Sequence, residues 1–127
     1  MLVDDGTEGL SGRVIGIGIA IHKKYGSGLL ESAYLKPLVI DIRAAGYKVD
    51  CQPRLPMVHA GVTIDHAYRP DLIVEGRLVI EVKVVAAILP VHRQQLKTYL
   101  QLAGIGVGLL MNFNVAVMRY GIKRVFR

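Results

Sequence analysis

Asp71, Glu81 and Lys83 stand among aliphatic residues in the stretch RPDLIVEGRLVIEVKVV, residues 69–85. Burying such groups without partners is costly, so their placement needs a reason. Side chains on a strand alternate between faces, which puts Glu81 and Lys83 on one face and Ile80, Val82 and Val84 on the other. If the stretch is a hairpin with the loop Glu75-Gly76-Arg77, Val74 pairs with Leu78 and Asp71 falls directly opposite Glu81. Their Cβ atoms then lie about 5 Å apart, where like charges repel unless a cation compensates them. A two-residue loop would shift the register by one and send the two carboxylates to opposite faces.

Two carboxylates, completed by a backbone carbonyl such as that of Val82 and by water, form an all-oxygen donor set that suits Mg²⁺ or Mn²⁺ better than zinc. A nearby Lys83 ammonium would orient an attacking water or stabilise negative charge developing on a phosphate. These are the minimal parts of metal-assisted phosphodiester hydrolysis. The same residues also suit a structural role, with Lys83 neutralising Asp71 or Glu81 on a solvated sheet face.

The elements that must position them follow from periodicity. Ser11 is placed to cap a helix reaching residue 24, with Val14, Ile17 or Gly18, and Ile21 in a stripe, after a flexible stretch over residues 1–10. Gly16 and Gly18 weaken that helix but allow close packing. A second helix is expected over residues 29–45, with Ser27 near its cap, Pro37 inside it and Gly46 at its end. Residues 47–59, bent by Pro53 and Pro56, suit an edge strand, and Ala60-Gly61 is a turn. Strands over 68–74 and 78–85 make the hairpin. Pro90 opens a helix whose face is Leu96, Leu100 and Ala103 and which Gly104 ends. Residues 107–113 read as a strand covered on both faces, and residues 115–126 as one or two short strands bent at Gly121. The order ααβββαβ(β) predicts an α+β domain, a mixed β-sheet flanked by helices, over residues 11–127.

Size and charge bound the function. A chain of 127 residues, 52% hydrophobic, is enough for a single domain with a sizeable core. Sixteen Lys and Arg against ten Asp and Glu leave a net charge of +6, which favours polyanionic partners such as DNA or RNA. Cys51 is the sole cysteine, so no intramolecular disulfide and no zinc cluster of several thiolates is possible, and a reducing cytoplasm is expected. The apolar run over residues 14–21 is too short to span a bilayer, and no membrane association is expected. The glycines of GIGIAIHKKYGSG lack the preceding strand and the spacing of a dinucleotide-binding loop.

The spacing of Pro70-Asp71 and Glu81-Val82-Lys83 resembles the PD-(D/E)XK nuclease superfamily. A second motif, GSGLLESAY at residues 26–34, places Gly28, Glu31 and Tyr34 at the spacing of the GxxExxY family, a small branch of that superfamily. QLKTYL, GLLMNF and YGIKR follow in the family's order, so the similarity covers residues 13 to 126. It implies a restriction-endonuclease-like core, with Asp71 and Glu81 as metal ligands and Lys83 as the catalytic lysine. It also implies that Glu31 lies on a helix beside the site, and Gln95 on a following helix faces the same pocket. The expected activity is Mg²⁺- or Mn²⁺-dependent cleavage of DNA or RNA, with a homodimer or protein partner possible. The alternative is a catalytically silent module of the same fold that binds nucleic acid or protein.

Other polar residues are weighed against ordinary roles. Glu31 also suits a helix N-terminus, and Gln95, on one face with Tyr99 and Leu102, also suits a boundary amide. Tyr34 and Tyr99 read as packing residues with anchored hydroxyls. His22, His59, His66 and His92 show no ligand spacing. Arg69, Arg77, Arg93, Lys97, Lys123 and Arg124 are candidates for phosphate contacts, although most surface charges are simply solvated.

Overall fold

The computed structural model describes residues 6–65 and 68–127. Helix α1 spans Thr7–Tyr25 and α2 spans Glu31–Ala44. Leu10, Val14, Gly18 and Ile21 form the buried stripe of α1, and Tyr34, Leu38 and Ile42 that of α2. Gly18 rather than Ile17 completes the first stripe, because a Cβ there would meet Met111 Cε at 2.3 Å. Gly16 has no such neighbour.

Two expected caps are corrected. The first helix begins at Thr7, before Ser11, whose hydroxyl instead donates to the Glu8 carbonyl at 3.0 Å from inside the helix. Part of the stretch expected to be flexible, residues 1–10, is therefore helical, and residues 1–5 lie outside the described residues. Ser27 does not cap α2; Leu30 occupies that position without a side-chain bond, and the helix continues through Pro37.

The strands are β1 Val49–Cys51, β2 Met57–His59, β3 Val62–Ile64, β4 Leu72–Val74 and β5 Leu78–Lys83. After helix α3, Pro90–Ala103, come β6 Val107–Asn112, a 3₁₀ turn over Met118–Gly121, and β7 Ile122–Phe126. The segment bent by Pro53 and Pro56 thus divides into β1 and β2. The Ala60-Gly61 turn leads into β3, which the sequence reading did not anticipate, and β2 and β3 form a separate two-stranded sheet. The segment beginning at Val115 contains one strand, with a 3₁₀ turn in place of the other.

The main sheet has the order β1-β4-β5-β6-β7. Neighbours are antiparallel except β5 and β6, which run parallel and are joined by α3 as a crossover. Strand alternation divides the core between two faces. Leu72, Val74, Leu78, Ile80, Val82, Leu109 and Met111 pack against α1 and α2. Ile73, Val79, Leu110 and Val125 pack against Leu96, Tyr99 and Leu100 of α3. β6 is covered on both sides, which explains its unbroken run of apolar residues. Among the described residues, no helix is long and apolar enough to cross a membrane.

At Gly121 the chain passes so close to β6 that a Cβ would lie 2.1 Å from the Asn112 carbonyl oxygen. Backbone cannot yield as a flexible side chain does. Gly121→Ala is expected to cost about 2 kcal/mol or more, read as a lower urea midpoint; an unchanged midpoint would show that the 3₁₀ turn can move away from β6.

Candidate active site

The hairpin loop contains three residues. Glu75 and Gly76 adopt φ of 54° and 64°, and Val74 pairs with Leu78 and Leu72 with Ile80. One step further, Asp71 stands opposite Glu81, as the longer loop requires. The two are tied across the strands: Asp71 N–H donates to Glu81 Oε1 at 2.6 Å, and Val82 N–H donates to Asp71 Oδ2 at 2.8 Å. Each carboxylate thus takes a backbone donor near the end of the pairing.

Glu81 is 5% exposed and Asp71 is half-buried. Burial is the largest influence on both and raises both pKa values, and their negative neighbours add to it. Glu81 is pushed up to about 7 by desolvation and then by the charge of Asp71. Asp71 is raised by desolvation and by Glu31, against the Val82 N–H and Lys83, which lower it.

Lys83 and Gln95 complete the group. Lys83 Nζ lies 3.7 Å from Glu81 Oε2 and donates to Gln95 Oε1 at 3.4 Å. Gln95 Nε2 donates to the Tyr99 hydroxyl at 3.3 Å. All of these groups lie on the α3 face of the sheet, where α3 presents Gln95 and Tyr99 one turn apart. The Tyr99 pKa is raised by burial and then by the charges of Glu81 and Asp71.

Glu31 approaches from the first residue of α2. Its side chain is exposed, and it acts on Asp71 and Glu81 through its charge. Its position depends on Tyr34, which is fully buried and stacks on Phe113 with ring centroids 4.4 Å apart. The Tyr34 hydroxyl donates to the Gly26 carbonyl at 2.5 Å and accepts the Leu29 N–H at 3.1 Å. Gly28, between them, has φ 105°, which side chains rarely adopt. The three spaced residues of GSGLLESAY therefore divide into a turn, a charge at the rim and a buried anchor.

Asn112 is a site-supporting residue that the sequence reading missed. It is paired in register with Lys83, and Phe113 N–H donates to the Lys83 carbonyl at 3.0 Å. Its side chain accepts the Val85 N–H at 3.1 Å and donates to the Val85 carbonyl at 3.0 Å. This fixes the chain as it leaves Lys83. The signal was a lone amide closing the apolar run of β6.

The histidines take separate roles. Buried His22 makes a 2.8 Å hydrogen bond with the Val115 carbonyl, and His92 Nδ1 accepts the Leu89 N–H at 2.9 Å at the start of α3. His59 lies in β2, and His66 lies outside the described residues. Of the candidate phosphate contacts, Arg93, Lys97, Lys123 and Arg124 gather between α3 and β7. Arg77 lies in the hairpin loop, at the far end of β5 from Glu81, and Arg69 is separately exposed.

No group of three or more His, Cys, Asp or Glu side chains arranged for a metal occurs among the described residues. A cation held at Asp71 and Glu81 would take its remaining donors from backbone and water. The buried, mutually repelling charges of the two carboxylates are what a hard divalent cation would relieve.

A family model described as the PD-(D/E)XK nuclease superfamily matches residues 8–125. Neither a curated protein nor a solved structure gives a significant match.

Two measurements follow from this geometry. The Glu81 carboxyl, ordinarily near 4.5, titrates at about 7 in the fold. Its favourable contribution is complete below 4.5 and is lost as pH rises through about 7. Metal-free stability should fall across that window by up to about 3 kcal/mol, and Glu81→Gln should flatten the fall; an equal slope in the variant would place its origin elsewhere. Tyr34→Phe removes the partner of two backbone groups and should cost about 1–3 kcal/mol in urea unfolding. A neutral result would mean that water replaces the hydroxyl.

Proposed function

We propose, for a chain that belongs to the PD-(D/E)XK nuclease superfamily, a divalent-metal-dependent nuclease that hydrolyses phosphodiester bonds in DNA or RNA. The observation that carries this reading is the opposed Asp71 and Glu81 pair, fastened across the hairpin by backbone N–H groups and backed by Lys83. Gly28, Glu31 and Tyr34 support its assignment to the GxxExxY branch.

Asp71, Glu81 and the Val82 carbonyl would hold Mg²⁺ or Mn²⁺. When bound, the ion supplies Lewis-acid activation of the phosphate and of water. Lys83, half-buried and held by Gln95, places an ammonium where it stabilises charge on phosphate oxygens or orients the attacking water. Gln95, anchored to Tyr99, keeps that ammonium on the carboxylate side of α3. Glu31 adds negative potential at the rim, which strengthens cation attraction.

The test incubates purified protein with linear, circular and single-stranded DNA and with RNA, in the presence of Mg²⁺ or Mn²⁺. Cleavage should require the metal and fall about a hundredfold or more in Asp71→Ala, Glu81→Ala and Lys83→Ala. Activity surviving all three changes would remove the proposed site. In parallel, Mn²⁺ at a hundred times its Kd should stabilise the wild type by about 2.7 kcal/mol and leave Asp71→Ala unmoved. Metal stabilisation without cleavage of any substrate would favour the silent module.

A further inference from the structure

The proposed cleavage site leaves a cluster of positive charge between α3 and β7 unused. Arg93, Lys97, Arg124 and Phe126 line a hollow of about 370 Å³ between α3 and β7. Arg93, Arg119, Lys123 and Arg124 line an adjoining one of about 350 Å³. The shared Arg93 and Arg124 make the two hollows one surface that wraps the edge of the sheet.

Helix geometry separates this surface from the carboxylates. Arg93 and Lys97, four residues apart, share a face of α3, while Gln95 and Tyr99 share the roughly opposite one. The two sites therefore lie on opposite flanks of α3. Arg124 is partly engaged, at 3.7 Å from the exposed Glu8 carboxylate and donating to Ser11 Oγ at 3.3 Å. Arg119 donates to the Tyr120 hydroxyl, and its guanidinium lies 4.9 Å from that ring. Phe126 is 61% exposed, although an apolar aromatic gains by being covered.

We infer that this surface binds a single strand of nucleic acid, with phosphates on Arg93, Lys97, Lys123 and Arg124 and an unpaired base stacked on Phe126. Cations recognise the backbone, which DNA and RNA share, and exposed aromatics among them favour unpaired bases over a closed duplex. The inference takes the ligand class from the nuclease reading and rests on it to that extent. It adds an anchoring site remote from the bond that is cut. The YGIKR segment thereby gains a role: Gly121 brings the chain against β6, and Lys123 and Arg124 present charge beyond it.

Binding is measured by fluorescence anisotropy in EDTA, which suppresses metal-dependent cutting, with short labelled oligo(dT), oligo(U) and a duplex over a range of salt. Four phosphate contacts predict a log–log salt slope of about −3 for the single strands. The exposed double variant Arg93→Ala/Lys97→Ala should bind about tenfold more weakly or worse and lose about half that slope. Phe126→Ala should weaken single strands about tenfold at unchanged slope and leave the duplex unaffected. Circular dichroism melts verify that the variants remain folded. Variants that bind like wild type at the same slope, or a wild type that prefers duplex, overturn the inference. The two proposals fail separately: Asp71→Ala should stay bound through the patch while leaving the substrate uncut, and a wild type that binds through the patch yet cuts nothing with Mg²⁺ or Mn²⁺ counts only against the nuclease reading. Cutting by wild type with unchanged binding in the patch variants counts only against the anchoring site.

Discussion

With Glu75 and Gly76 both in left-handed conformation, the hairpin between β4 and β5 closes over three residues, and strand parity then carries Asp71, Glu81 and Lys83 onto one face. These three charged groups inherit their positions from that register. A loop one residue shorter would aim Asp71 into the apolar layer beneath α1 and α2, where neither Lys83 nor Gln95 could reach it. The backbone stabilises the result by directing the N–H groups of Asp71 and Val82 at carboxylate oxygens. Like charges are thereby held together in a place that water only partly reaches.

The two helical layers support that arrangement differently. On one face, α3 supplies an ordered relay from Tyr99 through Gln95 to Lys83. On the other, α2 delivers a negative charge to the rim, and the loop before it is secured by a buried phenol that also stacks on Phe113. Phe113 directly follows β6, and Asn112 beside it fixes the exit from Lys83. The end of β6 therefore serves both layers, which makes the parallel β5–β6 pairing the joint between them.

Much of this was legible in the sequence because it depends on local parity and helix punctuation. The register of Asp71 against Glu81, the Pro90 and Gly104 boundaries of α3, and the central strand ending near Phe113 all follow from neighbours in the chain. Contacts between distant segments were not legible. The role of Asn112 arises only once β6 lies beside β5, and the buried bond of His22 only once Val115 returns over α1. Ser11 misled for a related reason: the capping residue type was present, but the helix had already started at Thr7. The small β2–β3 hairpin eluded the reading because its strands are three residues each and largely exposed, with little apolar alternation.

The edges of the main sheet also govern what the protein does at high concentration. One edge is β1, only three residues long and followed by Pro53, which has no N–H to offer an incoming strand. The other is β7, longer and ending in an exposed Phe126, the kind of edge that can template a foreign chain. Lys123 and Arg124 stand on it, with Arg127 just beyond. A second copy extending the sheet through β7 would bring these cations together and meet their repulsion at close range. The charge that makes this edge receptive to a polyanion thus also makes it a poor seed for self-association, and added salt, by screening it, weakens both properties together.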